Sequence, residues 1–182
     1  MYVWIRNERG EVRMNDKPIP PVIQIVGYSN TGKTTLITRL IPLLSEEGWK
    51  VGTVKRHAGE LELDEPGKDT WRHRESGADR VAITARNQTA VIFSRPLGLD
   101  ELLEHHRGMD LVLVEGFKGA SYPKLLMAGE EADLSLIREL TNVRGVVSPV
   151  PLEGKGIEVP QYFRDDTDGV AEVVKRLAGL KK

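Results

Sequence analysis

From Val22 onward the apolar residues fall into short runs that alternate with helical stripes. Val22 to Val26 is rich in β-branched residues, the pattern of a strand buried on both faces. A glycine-bounded turn follows. Leu36, Ile37, Leu40, Ile41 and Leu44 then recur at helical spacing, which predicts a helix over roughly Lys33 to Glu47 with Gly48 closing it. Pro42 lies inside that stretch and predicts a kink or a local break. Val51 to Val54 reads as a second strand, so the opening is a βαβ unit, which implies parallel pairing. Further along, the pattern predicts a short helix over Asp69–Ser76 ended by Gly77 and an antiparallel hairpin from Arg80–Thr84 and Thr89–Phe93. It also predicts a helix over Leu99–His106 and strands at Leu111–Val114, Lys124–Met127 and Gly145–Ser148. The last helix is the clearest, with Val170, Val173, Val174 and Leu177 in one stripe and Asp166 or Thr167 as its cap. Strands alternating with helices predict a three-layer α/β sandwich, with a mostly parallel sheet and an antiparallel portion.

The first 20 residues stand apart. Tyr2–Ile5 and Val12–Met14 flank Asn7-Glu8-Arg9-Gly10, which reads as a short hairpin or equally as a frayed tail with strand character. Pro18, Pro20 and Pro21 then form a stiff joint, so residues 1–20 read as an extension and 21–182 as the main domain.

Composition narrows the function classes. The 182 residues are 40% hydrophobic and 29% charged, with net charge −1; this is ordinary for a globular protein, and no run of like charge suggests a nucleic-acid groove or a polybasic membrane patch. The absence of cysteine excludes disulfides, thiolate zinc sites and a cysteine nucleophile. No apolar run approaches the ~20 residues of a bilayer span, and the expected compartment is the cytoplasm.

The turn after the first main strand carries the chemistry. Gly27-Tyr28-Ser29-Asn30-Thr31-Gly32-Lys33-Thr34 matches G-x-x-x-x-G-K-[ST] between a strand and an amphipathic helix. The glycines let the backbone turn its N–H groups toward phosphate oxygens, and the helix offers the positive end of its dipole. Lys33 supplies mobile positive charge for the β- and γ-phosphates, and the Thr34 hydroxyl is placed to ligate Mg²⁺. The expected phosphate-holding set is Gly27, Ser29, Asn30, Thr31, Gly32, Lys33, Thr34 and Thr35. None of Tyr28 to Thr31 is lysine, which argues against the deviant loop of partitioning-type ATPases.

A metal-side acid should end a buried strand facing that loop. Glu115, after Leu111-Val112-Leu113-Val114, fits the place, although Asp is the usual residue. Glu60, Glu62 and Asp64 alternate with Leu61 and Leu63; they read either as metal ligands, Glu60 first, or as the solvated face of a strand. Lys68 would approach phosphate or neutralise Asp69. His57 would touch ligand or lie idle at a strand end, and His73, His105 and His106 read as surface residues without metal-site spacing.

Three further blocks give the sequence a family likeness. Lys55-Arg56-His57, Asp64-Glu65-Pro66-Gly67-Lys68-Asp69-Thr70-Trp71-Arg72-His73 with Ser76-Gly77-Ala78, and Glu115-Gly116-Phe117-Lys118 follow the phosphate loop in an order similar to that of the molybdopterin-guanine dinucleotide biosynthesis adapter protein B (MobB) family, over Val22 to Pro151. The resemblance implies a homodimeric GTP- and Mg²⁺-binding protein of the SIMIBI branch of P-loop NTPases. Such a protein assists the guanylyltransferase that joins GMP to molybdopterin, and hydrolyses GTP slowly. By motif, Gly27, Gly32, Lys33 and Thr34 would hold phosphate, and Glu115 would take the Walker-B place.

The chain departs from the family pattern twice. Where members often carry His-His-Asp, it reads Ala58-Gly59-Glu60, so that only the charge of Glu60 carries over. Where related GTPases read guanine with an Asp after a late strand, it has Ser148-Pro149, leaving backbone carbonyls from Pro149 to Leu152 as substitutes. The competing class is a small-molecule kinase, which would use the same phosphate machinery and recruit Arg72, Arg74 and Arg80 to a lid.

Overall fold

The structure, a computed structural model, describes residues 4–6, 12–14, 17–152 and 158–181. In chain order its elements are β1 (Trp4–Arg6), β2 (Val12–Met14), β3 (Val22–Val26), α1 (Lys33–Glu46), β4 (Val51–Lys55), α2 (Asp69–Glu75), β5 (Arg80–Thr84), β6 (Thr89–Phe93) and α3 (Leu99–Glu104). They continue with β7 (Leu111–Glu115), β8 (Lys124–Met127), a 3₁₀ turn at Glu131–Ser135, α4 (Leu136–Glu139), β9 (Val143–Ser148), β10 (Gln161–Phe163) and α5 (Thr167–Ala178). The chain divides into two compact units, residues 1–56 with 103–182, and residues 57–102.

The first unit is built on a parallel sheet in the order β10-β9-β8-β3-β7-β4. Strand residues alternate between its two faces. Ile23, Ile25, Leu111, Leu113, Leu125, Met127 and Val147 pack on one side with α1 and α5. Val26, Leu126 and Val146 pack on the other with Leu136 and Ile137 of α4. Helices on both faces of a mostly parallel sheet make the three-layer α/β sandwich of P-loop NTPases. β1 and β2 pair antiparallel as a hairpin whose connecting segment, residues 7–11, lies outside the described residues.

Two expectations need correction here. Pro42 does not break α1, which runs unbroken from Lys33 to Glu46 because a single missing N–H is tolerated once Leu36, Ile37, Leu40 and Leu44 are buried. His106 is half-buried rather than a free surface residue: its Nε2 lies 3.2 Å from Thr53 O, and its ring lies against Gly52, where a side chain would clash with it. Of the alternative caps, Asp166 starts α5, its carboxylate accepting from Gly169 N at 3.0 Å.

The second unit holds α2 and the antiparallel hairpin β5–β6, in register from Arg80↔Phe93 to Thr84↔Thr89. The acidic segment before α2 is not the strand its alternation allowed. Asp64 instead turns inward, accepting from Thr70 Oγ1 at 2.8 Å with Arg74 at 3.9 Å, while Glu60 and Glu62 stay exposed. Lys68 pairs with Glu65 at 3.4 Å rather than with Asp69.

Candidate functional site

The turn between β3 and α1 adopts conformations that depend on its glycines. Gly27 has φ +151°, and a Cβ there would fall 2.6 Å from Met127 O; Gly32 has φ +91°. The first helical bond of α1 runs from Leu36 N to Gly32 O at 2.9 Å. The amides of Lys33, Thr34 and Thr35 therefore belong to the donors that a helix start leaves over, and no side chain caps them. Thr31 Oγ1 closes the turn by donating to Tyr28 O at 2.9 Å. Ser29 and Asn30 are exposed on the rim, Asn30 in the left-handed region at φ +64°.

Sheet register brings the charged partners to this loop. β7 pairs with β3 and β4 so that Glu115 lies opposite Ile25 on one side and Lys55 on the other. Glu115 Oε2 accepts from Thr34 Oγ1 at 2.8 Å. Lys55 Nζ is 3.1 Å from Thr34 Oγ1 and 3.1 Å from Glu115 Oε1. The carboxylate is mostly shielded, its side chain 12% exposed. A hydroxyl and a carboxylate side by side are hard oxygen donors suited to Mg²⁺, and the ammonium on both shows that the spot accepts positive charge. Thr34 and Glu115 thus fit a metal, which would supply charge neutralisation to a bound polyphosphate. Glu60 belongs to the second unit and is exposed there; among the described residues no three acidic or histidine side chains gather as a metal site.

More positive charge converges on the loop than the motif alone supplies. Lys33 Nζ donates to Tyr28 O at 2.5 Å. Its pKa is lowered, chiefly by desolvation and further by Lys118 and Lys55, while Glu115 opposes the shift. Lys118 Nζ stands 4.7 Å over the Tyr28 ring. Arg164 lies beside Gly32, where an added Cβ would come 3.7 Å from its Nη1. Lys55, Lys118 and Arg164 were given no role from sequence. A cation at the end of a strand next to Glu115 was the available signal for Lys55. Nothing in the local pattern marks Arg164, which β10 delivers by pairing with β9.

The segment carrying Lys118 is held from below by two buried polar side chains. Residues 116–123 cross from β7 to β8, passing β3, without the helix that usually makes such a crossover. Backbone carbonyls laid across a sheet need donors. Gln24 Nε2 donates to Gly116 O at 3.0 Å and Phe117 O at 2.8 Å. Lys124 Nζ donates to Ala120 O and, at 3.1 Å, to Tyr122 O. Both side chains are fully buried. Phe117 sits at φ +52° with Arg56 over its ring at 5.4 Å, so the turn after Glu115 is fixed on both flanks.

The sequence profile described as MobB, Molybdopterin guanine dinucleotide synthesis protein B, matches residues 22–149. The chain belongs to the MobB family. The molybdopterin-guanine dinucleotide biosynthesis adapter protein of Haemophilus influenzae is 36% identical over 137 residues, covering 73% of this chain and 77% of that protein. Its Escherichia coli counterpart is 31% identical over 171 residues, covering 88% and 95%. Among solved structures, Bacillus subtilis MobB superposes with TM-score 0.72 at 30% identity, covering 86% of this chain and 97% of that one. A MobB homologue from Bacillus stearothermophilus gives 0.70 at 31%, covering 88% and 99%. The MobB profile starts at the first strand of the main sheet, so the β1–β2 hairpin precedes the matched region. It ends at Ser148-Pro149, where Ser148 Oγ donates to Val150 O at 2.5 Å. Gln161 clamps the main chain of Leu152 through bonds of 3.1 and 2.9 Å, so the segment after β9 is held by side chains of its own unit.

Proposed function

We propose that this chain is a GTP-binding adapter in molybdopterin-guanine dinucleotide biosynthesis, with weak intrinsic GTP hydrolysis. The adapter role follows from membership of the family and from the names its relatives carry. The nucleotide reading rests on one observation, the contact of Thr34 Oγ1 with Glu115 Oε2 at 2.8 Å at the mouth of a glycine-turned loop. Gly27, Ser29, Asn30, Thr31, Gly32, Lys33, Thr34 and Thr35 would surround the phosphates, with Mg²⁺ on Thr34 and Glu115. Carbonyls between Pro149 and Leu152 would face the base. The partner would be the molybdopterin guanylyltransferase, met in the cytoplasm by a homodimer; among the described residues no helix is long and apolar enough to cross a membrane.

The kinase alternative has less to draw on. Arg74 is committed to Asp64 and Arg80 to the Phe93 ring, 4.4 Å below it, so two of the three arginines a lid would recruit have neighbours within their own unit.

Calorimetric titration with GTP, ATP and GDP, with and without Mg²⁺, tests the reading, followed by turnover with and without molybdopterin. The expected result is preference for GTP over ATP and turnover far below the ~10 s⁻¹ typical of enzymes. Phosphoryl transfer to an added acceptor would replace the adapter by the kinase. Lys33→Ala should weaken triphosphate binding about 100-fold, the scale of lost charge-assisted hydrogen bonds, with circular dichroism unchanged. Undiminished GTP binding by that variant would remove the loop as the site.

A further inference from the structure

Lys55 is the most oddly placed cation of the site. Its ammonium touches both oxygens that the metal would use, Thr34 Oγ1 and Glu115 Oε1, at 3.1 Å each. Lys33, the lysine that the motif assigns to phosphate, rests instead on the carbonyl of Tyr28 within its own loop. Packing constrains Lys55 less than its partner, because its side chain is 55% exposed, whereas Glu115 is 12% exposed and ends a strand paired on both sides. A half-solvated ammonium on a shielded carboxylate is a movable counter-ion for an immovable one.

Building on the nucleotide reading above, we propose that Lys55 is a tethered cation that guards the metal ligands and makes the site's demand for Mg²⁺ depend on its displacement. While Lys55 lies on Thr34 and Glu115, an incoming divalent cation must compete with a positive charge already supplied by the chain. Once displaced, the ammonium remains on the end of β4 beside Thr34 of the loop, and would add to the neutralisation of a polyphosphate bound there. Lys55 therefore opposes metal binding and favours polyphosphate when metal is scarce. A purely structural ion pair between β4 and β7 would do neither.

These two effects have opposite signs, which makes them separable. In Lys55→Met, the Mg²⁺ concentration that half-saturates nucleotide binding should fall about two- to fivefold, the range of a half-exposed ion pair. In the same variant, GTP and GDP binding in EDTA should weaken by a similar factor. Lys55→Gln should behave alike, with circular dichroism reporting that both variants fold. In a Glu115→Gln background the Lys55→Met change should no longer lower the metal midpoint, because the competed carboxylate is gone. An unchanged or raised midpoint in Lys55→Met would overturn the proposal. Mn²⁺ titration without nucleotide, followed by electron paramagnetic resonance, separates this from the nucleotide reading: tighter Mn²⁺ binding by Lys55→Met than by the parent protein supports the guard, and equal binding overturns it. Failure of the parent protein to bind GTP with Mg²⁺ would overturn the nucleotide reading instead, and leaves the Mn²⁺ comparison to decide Lys55.

Discussion

The two units of this chain solve different problems. In the first, β3, β7 and β8 are buried at almost every position and apolar side chains cover both faces of the sheet. In the second, α2 buries no residue, only Val81 and Leu99 are buried aliphatics, and Leu61, Leu63, Ile83 and Val91 are largely exposed. The first unit can therefore hold polar groups at fixed places, because its core fixes the strand ends that carry them. The second has little core to spend on precision, and short elements of this kind are marginal without further cover. The cluster of Thr34, Lys55 and Glu115, with its contacts near 3 Å, is accordingly assembled on the first unit.

The sharpest way to test that contrast is to truncate one side chain in the central sheet. Leu125 is fully buried between β3 and β9. Leu125→Ala should lower unfolding free energy by about 3 kcal/mol, the mid-range of leucine truncations in cores. Denaturant titration checks it. A loss below about 1 kcal/mol would mean that the sheet of the first unit is less well packed than its burial implies.

The same contrast explains what could be read from the sequence. Strands buried on both faces appear as runs of apolar residues, so Val22–Val26, Leu111–Val114 and Lys124–Met127 were legible from composition alone. The glycine-dependent turn between β3 and α1 was legible because Gly27 and Gly32 lie within one short stretch of chain. The α5 stripe and its aspartate cap were legible for the same local reason. What escaped is what tertiary register creates. β10 is a three-residue edge strand with no apolar signature, yet it brings Arg164 to the loop. Thr34 meets Glu115 across 81 residues, and Lys55 joins them only because β4 lies next to β7. Lys124 reads as an ordinary polar strand start; its burial follows from a helix-free crossover that no periodicity announces. In the second unit the acidic stretch was ambiguous because alternation over so few residues fits a strand or a loop equally, and the loop won once Asp64 found Thr70 and Arg74.

A smaller effect should come from Lys124, which probes whether the first unit's precision extends to the segment above Gln24. Lys124→Met keeps the length of the side chain but removes the donor to Ala120 O and Tyr122 O. Lost hydrogen bonds to carbonyls on a buried face cost about 1–3 kcal/mol, and removal of a buried charge offsets part of that, so a net loss near 1–2 kcal/mol is expected. Burial lowers the Lys124 pKa below the ordinary 10.5. Between the lowered folded value and 10.5 the unfolded chain binds more protons than the folded one, so this group makes stability rise with pH in that window. Below the window the full cost of burying the charge is present. The parent protein should thus gain on Lys124→Met as pH climbs toward 10.5, and parallel pH profiles would show that the ammonium is not the burdened group.

The smallest effect on folding should come from the second unit, and there the interest lies in what else changes. Register places Ile83 opposite Ala90 and Val91 opposite Ala82, so the two exposed aliphatics lie on opposite faces of the β5–β6 hairpin, 51% and 47% exposed. Replacing an exposed side chain away from any cap or core usually moves stability by no more than about 0.5 kcal/mol. Ile83→Asp should therefore unfold at nearly the same denaturant concentration as the parent protein. If the proposed homodimer uses this hairpin, the same substitution puts a carboxylate where an aliphatic would be desolvated, and sedimentation equilibrium should show weaker self-association. Loss of stability above 1 kcal/mol with unchanged association would mean that Ile83 is covered within its own chain. The second unit would then have a core of its own after all, and the contrast with the first would narrow to one of size.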